Sequence, residues 1–303
     1  METDFLQAPS KEQNLSFKTF EKEIKRQTKI LGLDKGIFSF FGLLETNENF
    51  NNSAALLADK NNFPGLEILN IENQDNKVSE LEKITHVSIL IQYRFAMEAY
   101  KRKYQNGQEN KSDGMRRIKV PEIAFREAIS NALVHRAWDI NSNIIVSMYD
   151  DRIEILSPGG LLDGLDDKFL NSGVGSHPRS FELDYALIRL KYCNAFGTGL
   201  ERIRKTYHQT DGNPKFYEKN NSVNVILPAT RCGYSDNEAR TILNADQMAV
   251  FESLDRWITR STKEIEESTG FSKQKILGIL NLFRKMHMIK VISNTRTTRY
   301  LKI

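Results

Sequence analysis

The chain of 303 residues is 40% hydrophobic and 27% charged, with a net charge of +4, which is typical of a globular protein of two or three domains. No apolar run approaches the ~18 residues of a membrane helix, and the N-terminus lacks the cationic start and apolar middle of a secretory signal, so no membrane partner is expected. The two cysteines, Cys193 and Cys232, lie far apart, which excludes a metal site built from them alone and predicts a reducing, cytoplasmic location.

The first third of the chain is predicted to be mostly helical. Apolar residues at helical spacing predict a helix from Phe17 that is broken by glycines near Leu33, and a short helix from Asn52. Residues 65–72 alternate enough for a strand. Between residues 80 and 105 apolar residues again recur at helical spacing, so one long helix is predicted across that range.

Helices and strands alternate after the polar linker at residues 106–114. A helix is predicted at 120–138, with Pro121 in its first turn, where proline is tolerated. Two strands, 143–150 and 152–157, are joined at a pair of aspartates that suits a tight hairpin. Further elements are predicted as helices at 185–195 and 200–208, a strand at 223–227 and an inter-domain linker at 230–239.

The last part of the chain is predicted to form a winged helix. Residues 246–303 contain eleven Lys/Arg and six Asp/Glu, and no acidic residue follows Glu267, which favours a phosphate-rich partner. Three helical segments precede an alternating stretch that turns at Ser293-Asn294, and the third of these helices can enter a major groove. The predicted DNA-binding residues are Ser272, Lys273, Gln274, Lys275, Gly278, Asn281, Arg296 and Arg299. A winged helix used for protein contacts, or a domain that is simply basic, remains the alternative.

Two polar residues stand out on the helix predicted at 120–138. Glu127 and Asn131 are four residues apart, which places both side chains on one helix face. An amide oxygen can ligate a hydrated magnesium ion while a carboxylate orients or deprotonates one of its waters. An exposed pair on a solvated face is the alternative.

Two glycine motifs follow this helix in the chain. The turn Pro158-Gly159-Gly160 comes where a strand ends, and glycines there let the backbone approach a flat ligand closely. Gly197-Thr198-Gly199 precedes a predicted helix, whose unbonded amides and positive end favour an anion. Together with Glu127 and Asn131, these motifs predict a nucleotide pocket with metal, base and phosphate ends.

The segments REAISNALVHR, DDRIEILSPGGL and FGTGLERIR resemble the GHKL (Bergerat-type) ATPase fold of gyrase, Hsp90, histidine kinases and MutL. They are most similar to its variant in bacterial transcriptional regulators once labelled RecG-like helicases. The resemblance covers about residues 120–227. It implies an α+β protein, in which a GHKL α/β sandwich at 76–231 is followed by a winged helix-turn-helix domain at 240–303. Residues 1–75 would be a small α+β remnant of an AlbA-like (Schlafen-type) domain, so a fragment or a shortened member of the family is expected.

The resemblance also implies roles for individual residues. Glu127 would activate water and Asn131 would bind Mg²⁺ beside ATP. Proven ATPases of this superfamily place an aspartate just before the glycine turn, where it bonds the adenine amino group, and this chain has Ser157 there. Losing such a charge-assisted hydrogen bond costs roughly 1.5–3 kcal/mol, or roughly ten- to a hundred-fold in affinity. The implied nucleotide site consists of Asn131, His135, Ser157, Gly159, Gly160, Gly197, Thr198 and Gly199.

Two functions are consistent with these patterns. The first is a DNA-binding transcriptional regulator, expected to be a homodimer on double-stranded DNA, whose ATPase-like domain senses a nucleotide or another small-molecule effector. The second is a Mg-dependent ATPase acting in DNA processing or defence. Hydrolysis is the less supported, because the adenine-binding aspartate is replaced and the second glycine motif is short. A helicase is disfavoured, because no GxxxxGK[ST] loop occurs in the chain.

Overall fold

The computed structural model describes most of the chain. The described residues are 5–72, 77–106, 118–161, 170, 179–193, 197–208, 210, 212–231, 236–255, 258–286, 288–294 and 297–302. No described helix is both long enough and apolar enough to cross a membrane.

Three short helices form the N-terminal region. They are α1 (Lys18–Gln27), α2 (Lys35–Phe40) and α3 (Asn52–Leu57), close to the helices predicted from Phe17 and Asn52. The side chains of Asp34 and Asn51 accept hydrogen bonds from backbone amides three residues later and so cap α2 and α3. Buried aromatic rings, among them Phe17, Phe20 and Phe41, join these helices into one core.

A six-stranded mixed sheet follows. Its neighbouring strands run in the order β2-β1-β4-β5-β7-β6, in which β1 pairs with β4 in parallel and the other pairs are antiparallel. A separate short pair joins β3 to β8. The strands are β1 (Leu66–Glu72), β2 (Lys77–Ile84), β3 (Ile118–Lys119), β4 (Ile144–Met148), β5 (Arg152–Pro158), β6 (Lys215–Glu218), β7 (Ser222–Pro228) and β8 (Thr230–Arg231).

The prediction of one long helix at 80–105 is wrong. The structure has the strand β2 there, then helix α4 (Ile89–Lys101) and a π-helical turn at Arg102–Asn106. Leu81, expected to face inward, pairs with Leu69 of β1 and is 59% exposed. Apolar spacing over a short stretch fits both helix and strand, and here the pairing with β1 decides. The positive φ of 60° at His86 separates the two elements.

Helix α5 (Glu122–His135) lies at the centre of the helices described around the sheet. The others described are α4, α6 (Phe181–Arg189) and α7 (Gly199–His208). Helix α5 packs against β5 and β7 and contacts α4, α6 and α7. The predicted helix at 185–195 starts and ends earlier as α6, because Ser180 caps its start and Lys191 has a positive φ of 61°. The short strand β6 was not predicted.

One hydrophobic core runs from Leu6 to Leu227. The division predicted between residues 75 and 76 falls between β1 and β2, which are the two strands of one hairpin. A second core lies between Ala239 and Tyr300. The three-domain division therefore stays a prediction, whereas the structure has two core clusters in its described part.

The C-terminal region consists of helices and a small sheet. Asn244 and Ser261 begin two of the helices with capping boxes, and Gly270 ends one of these with a φ of 70°. Ser293 and Asn294, predicted as the hairpin turn, are instead paired strand residues, because Asn294 pairs with Thr297. Part of the linker expected at 230–239 is strand or helix. The elements are α8 (Asp236–Ile242), α9 (Ala245–Ser253), β9 (Arg260–Ser261), α10 (Thr262–Thr269), α11 (Lys273–Lys285), β10 (Ile289–Asn294) and β11 (Thr297–Lys302).

Candidate functional site

Glu127 and Asn131 of α5 both face α7. The Oε1 atom of Glu127, which is 5% exposed, lies 3.1 Å from Nε of Arg202. A Cβ atom at Gly199 would lie 2.7 Å from Nδ2 of Asn131, so any larger residue there would require the Asn131 amide to move. Glycine at 199 therefore lets the start of α7 pack directly on the Asn131 amide.

The loop before α7 sets the direction of this helix. Gly197 has a φ of 73°, in the left-handed region that glycine adopts at little cost. The backbone N–H of Arg202 donates to the Thr198 carbonyl at 2.9 Å, which closes the first turn. The first amides of a helix have no intrahelical partner and, with the helix dipole, attract anions. The loop thus directs this helix end to the side of Asn131.

The glycine turn after β5 is held against the end of α5. Gly159 has a φ of 91°, and a Cβ atom there would lie 2.4 Å from Cβ of Ala137. The N–H of Ala137 donates to the Pro158 carbonyl at 2.9 Å. On the other side, the N–H of Gly160 donates to Oδ1 of Asn221 at 2.9 Å. Gly159 is therefore required by its backbone conformation and its contact with Ala137, whereas a Cβ atom at Gly160 would meet only the side chains of Glu218 and Asn221.

Arg179 links His135 to the glycine turn. Its Nε donates to the His135 carbonyl at 2.8 Å, and its Nη2 donates to the Gly160 carbonyl. Burial, and then the charge of Arg179, lower the pKa of the His135 imidazole to about 4, so this ring is neutral at neutral pH. The stretch that contains Arg179 has no motif or clear periodicity, and it carried no predicted role.

Ser157 points toward the backbone of α5. Its side chain is buried, and its hydroxyl donates to the Ala132 carbonyl at 3.3 Å. A hydroxyl used in this way does not reproduce the carboxylate that bonds an adenine amino group in the resembling ATPases. The base end of the predicted pocket is therefore the part in which this chain departs most.

Arg136, at the end of α5, supports the same region. Its side chain is fully buried, and its Nη2 donates to the carbonyls of Ile140 at 2.8 Å and Ser142 at 2.7 Å. The guanidinium lies 4.4 Å from the centre of the Trp138 ring. Burial lowers the pKa of Arg136 to about 10, which still leaves it charged at neutral pH. Arg136 thus fixes the loop that carries Ala137, although no role was predicted for it.

The predicted residues of the nucleotide site converge around the C-terminal half of α5. Asn131 contacts the start of α7, Ala132 contacts Ser157, and Ala137 contacts the glycine turn. His135 reaches the same turn through Arg179. The structure therefore brings these segments together, and the ligand role of each residue stays a prediction.

The donor groups of this region fit a magnesium nucleotide at one end. Amide and carboxylate oxygens such as those of Asn131 and Glu127 are ligands that Mg²⁺ accepts while it keeps several waters. The guanidinium of Arg202 and the first amides of α7 suit a phosphate group. No group of three or more His, Cys, Asp or Glu residues arranged for a metal ion occurs among the described residues. The metal prediction accordingly depends on Asn131.

No role was predicted for Asp184 of α6 or for the Cys193 thiol in the loop that follows it. Burial raises the pKa of Asp184, which is 6% exposed, to about 6. Burial also raises the pKa of the Cys193 thiol to about 12, so this cysteine is protonated at neutral pH. An uncharged thiol is a weak nucleophile and metal ligand.

Helix α11 presents the residues predicted to bind DNA. Its buried side consists of Ile276, Ile279, Leu280 and Phe283. Apart from its chain neighbours and the backbone of its own helix, no described atom lies within 4 Å of the position that a Cβ at Gly278 would take. The exposed side includes Ser272, Lys273, Gln274, Lys275, Gly278 and Asn281.

Two of the predicted cations are engaged inside the C-terminal region. Nζ of Lys275 lies 2.8 Å from Oδ2 of Asp246 and also over the ring of Phe271. Nη2 of Arg299 lies 3.0 Å from Oε2 of Glu264, and its Nε donates to Oγ1 of Thr259. Arg296 lies outside the described residues. The roles predicted for these three residues on DNA stay predictions.

One comparison with known proteins bears on the class of the central domain. Residues 141–227 match the family model described as "Putative ATP-dependent DNA helicase recG C-terminal". This match spans the glycine turn and α7 and begins after α5, so the chain contains an ATPase-like domain of the RecG C-terminal type. Glu127 and Asn131 precede the matched residues.

A solved structure extends the likeness to the whole chain. The crystal structure of the DIP2311 protein from Corynebacterium diphtheriae matches with a TM-score of 0.64 and 14% sequence identity, over 99% of this chain and 70% of that one. At this identity the likeness shows a shared fold. No curated protein matches this chain.

Proposed function

We propose that this protein is a DNA-binding transcriptional regulator whose C-terminal region is a winged helix. The observation that carries the proposal is the exposed side of α11, where Lys273, Gln274 and Asn281 stand around a bare Gly278. No acidic residue follows Glu267 in the chain. Lysine and amide side chains at such a helix face can reach phosphates and base edges in a major groove.

Gly278 is a second argument for a closely approaching partner. Glycine within an exposed helix costs roughly 0.5–1 kcal/mol relative to alanine. The described fold gives no reason for this cost, since a Cβ atom at Gly278 would point into open space. A helix that lies close to a DNA backbone or groove supplies the reason. Binding to a two-fold operator would require a homodimer.

DNA binding is tested by fluorescence anisotropy with duplex DNA between about 50 and 200 mM salt. If five cations neutralise phosphates, the log–log slope of affinity against salt is expected to be roughly −4 to −5. Lys273→Ala should make this slope less steep by about 1. Lys18→Ala, which removes an exposed lysine from α1, is the matched control and should change nothing. A protein that does not bind duplex DNA at low salt refutes the proposal.

We further propose that the ATPase-like domain binds a nucleotide between α5 and α7. Asn131 would hold Mg²⁺, the first amides of α7 would hold phosphate, and the turn at Gly159-Gly160 would face the base. The family match across the glycine turn and α7 supports this assignment. Bound Mg²⁺ would neutralise part of the phosphate charge. The other effector consistent with the site is a small molecule that carries phosphate.

A Mg-dependent ATPase in DNA processing or defence is the second candidate function. It is favoured by the position of Glu127 and Asn131, which both face the start of α7. Steady-state phosphate release with and without DNA separates it from a regulator that only binds. If Glu127 is a general base, Glu127→Ala should slow release about a hundred- to ten-thousand-fold. No release above background by the unchanged protein would exclude this candidate.

A further inference from the structure

The ion pair between Glu127 and Arg202 links α5 to α7. Glu127 is almost fully buried, whereas the Arg202 side chain is 39% exposed, and their atoms Oε1 and Nε are 3.1 Å apart. Arg202 belongs to the first turn of α7, where its backbone N–H bonds the Thr198 carbonyl. Its guanidinium therefore lies beside the helix end at which the predicted phosphate site is located.

The pairing restricts what Glu127 can do in this state. A general base needs a lone pair directed at water, and here one carboxylate oxygen is directed at a guanidinium. A buried carboxylate needs such a cation, because an isolated charge in the interior is costly. Removing or displacing Arg202 therefore affects Glu127 directly.

A phosphate group is the natural competitor for Arg202. A guanidinium carries five N–H donors in a planar fork that matches phosphate oxygens. The described pair with Glu127 is made through Nε, and the Arg202 side chain is 39% exposed, so its guanidinium is accessible to a second anion. Polyphosphate carries more charge than a carboxylate and binds a guanidinium in bidentate fashion.

We propose that Arg202 is the phosphate-recognition residue of this domain and that it exchanges between Glu127 and the phosphates of the ligand. The inference depends on the proposed nucleotide binding and adds a regulatory step to it. Without ligand, Glu127 holds Arg202 and lowers the affinity for phosphate. With ligand, Arg202 leaves Glu127, so that occupancy of the site is coupled to the packing of α5 against α7.

The exchange predicts opposite effects for the two partners. Glu127→Gln removes the competitor and should tighten binding roughly two- to tenfold, in line with the loss of one partly exposed ion pair. Arg202→Gln should weaken binding roughly ten- to a hundred-fold, as expected for a lost charge-assisted contact. The double variant should bind like Arg202→Gln alone, because Glu127 acts through Arg202.

Isothermal titration calorimetry of the full chain with Mg²⁺-ATP, and in parallel with inorganic tripolyphosphate, measures these affinities. Lys205→Gln is the matched control, since it removes an exposed cation of the same helix, and its affinity should stay within about twofold of the unchanged protein. Arg202→Lys keeps the charge without the planar fork and should fall between the unchanged protein and Arg202→Gln. Circular dichroism of each variant shows whether it is folded. If an Arg202 variant is unstable, the predicted increase in affinity of Glu127→Gln still tests the exchange.

The outcomes separate the inference from the function on which it depends. Mg²⁺-ATP binding that is unaffected by Arg202→Gln, or weakened by Glu127→Gln, overturns the exchange and leaves nucleotide binding standing. Failure of every variant, Glu127→Gln included, to bind either probe overturns both proposals. If Glu127→Gln tightens and Arg202→Gln weakens the binding of tripolyphosphate, and ATP binds no more tightly than tripolyphosphate, the role of Arg202 is supported and recognition of the base is refuted.

Discussion

Replacement of Gly278 should affect stability and DNA binding in opposite directions. Gly278 lies within α11 and is exposed, and a Cβ atom there would have no described neighbour within 4 Å beyond its chain neighbours and the backbone of its own helix. Gly278→Ala should therefore meet no clash in the free protein. The change should raise the free energy of unfolding by roughly 0.5–1 kcal/mol, the usual difference between these residues within a helix.

A longer side chain at the same position should prevent close contact with DNA. Gly278→Gln adds no charge and still improves helix propensity, so the free protein should remain at least as stable. A helix that is moved away from the groove loses contacts with bases and phosphates, and we expect an affinity for duplex DNA that is at least about tenfold lower, or about 1.4 kcal/mol.

Urea unfolding and fluorescence anisotropy on the same samples measure the two effects. Ser268→Ala, at an exposed position of α10, is the matched control, because it also raises helix propensity but lies off α11. It should leave DNA affinity unchanged. If Gly278→Gln binds DNA as tightly as the unchanged protein, α11 does not lie against DNA and the reasoning from its exposed side is wrong.

Three further predictions concern the ATPase-like domain. Burial raises the pKa of Asp184 from 3.8 to about 6, so the stability contributed by its neutral form is present below about pH 4 and is lost as pH rises through about 6. Asp184→Asn should therefore be more stable than the unchanged protein by up to about 3 kcal/mol at pH 7 and by much less at pH 4. A difference in denaturation midpoint between the two proteins that is the same at pH 4 and pH 7 would contradict this. Arg136→Ala should lower the free energy of unfolding by about 3 kcal/mol or more in urea, because a large buried side chain is removed and the carbonyls of Ile140 and Ser142 lose their charged donor. A loss below about 1 kcal/mol would show that the loop does not depend on Arg136. The Ser157 hydroxyl donates to the Ala132 carbonyl, so it is not directed at the base of a nucleotide. The affinities for Mg²⁺-ATP and Mg²⁺-GTP, measured by calorimetry, should therefore differ less than about tenfold. A hundred-fold preference for ATP would indicate that another group binds adenine.

Local signals in the sequence predicted most helices and the β4–β5 hairpin. Proline before α5, the serine before α10 and the glycine after it act within a few residues of where they stand, so they are visible without a structure. The spacing of Glu127 and Asn131 likewise predicted a shared helix face, and both residues do face α7.

Features that depend on distant partners were missed. Leu81 belongs to a strand because β1 lies beside it, and its apolar spacing alone fits a helix equally well. Arg179 and Arg202 reach the region of α5 from segments far along the chain, and a single arginine has no sequence signal that reveals its partner. Because glycine permits close approach, the sequence could indicate that some group packs closely on Gly199. It could not indicate that this group is the Asn131 amide.

The parallel pairing of β1 with β4 has a consequence for how this protein can be divided and recombined. A gene fusion that replaced residues 1–75 with another module would remove β1 and leave β2 without its neighbour. The backbone of β4 would then be an open sheet edge, which is prone to pair with other chains. The N-terminal helices and the ATPase-like domain should therefore be inherited and exchanged as one unit, with the junction near residue 235 as the more permissive place for recombination.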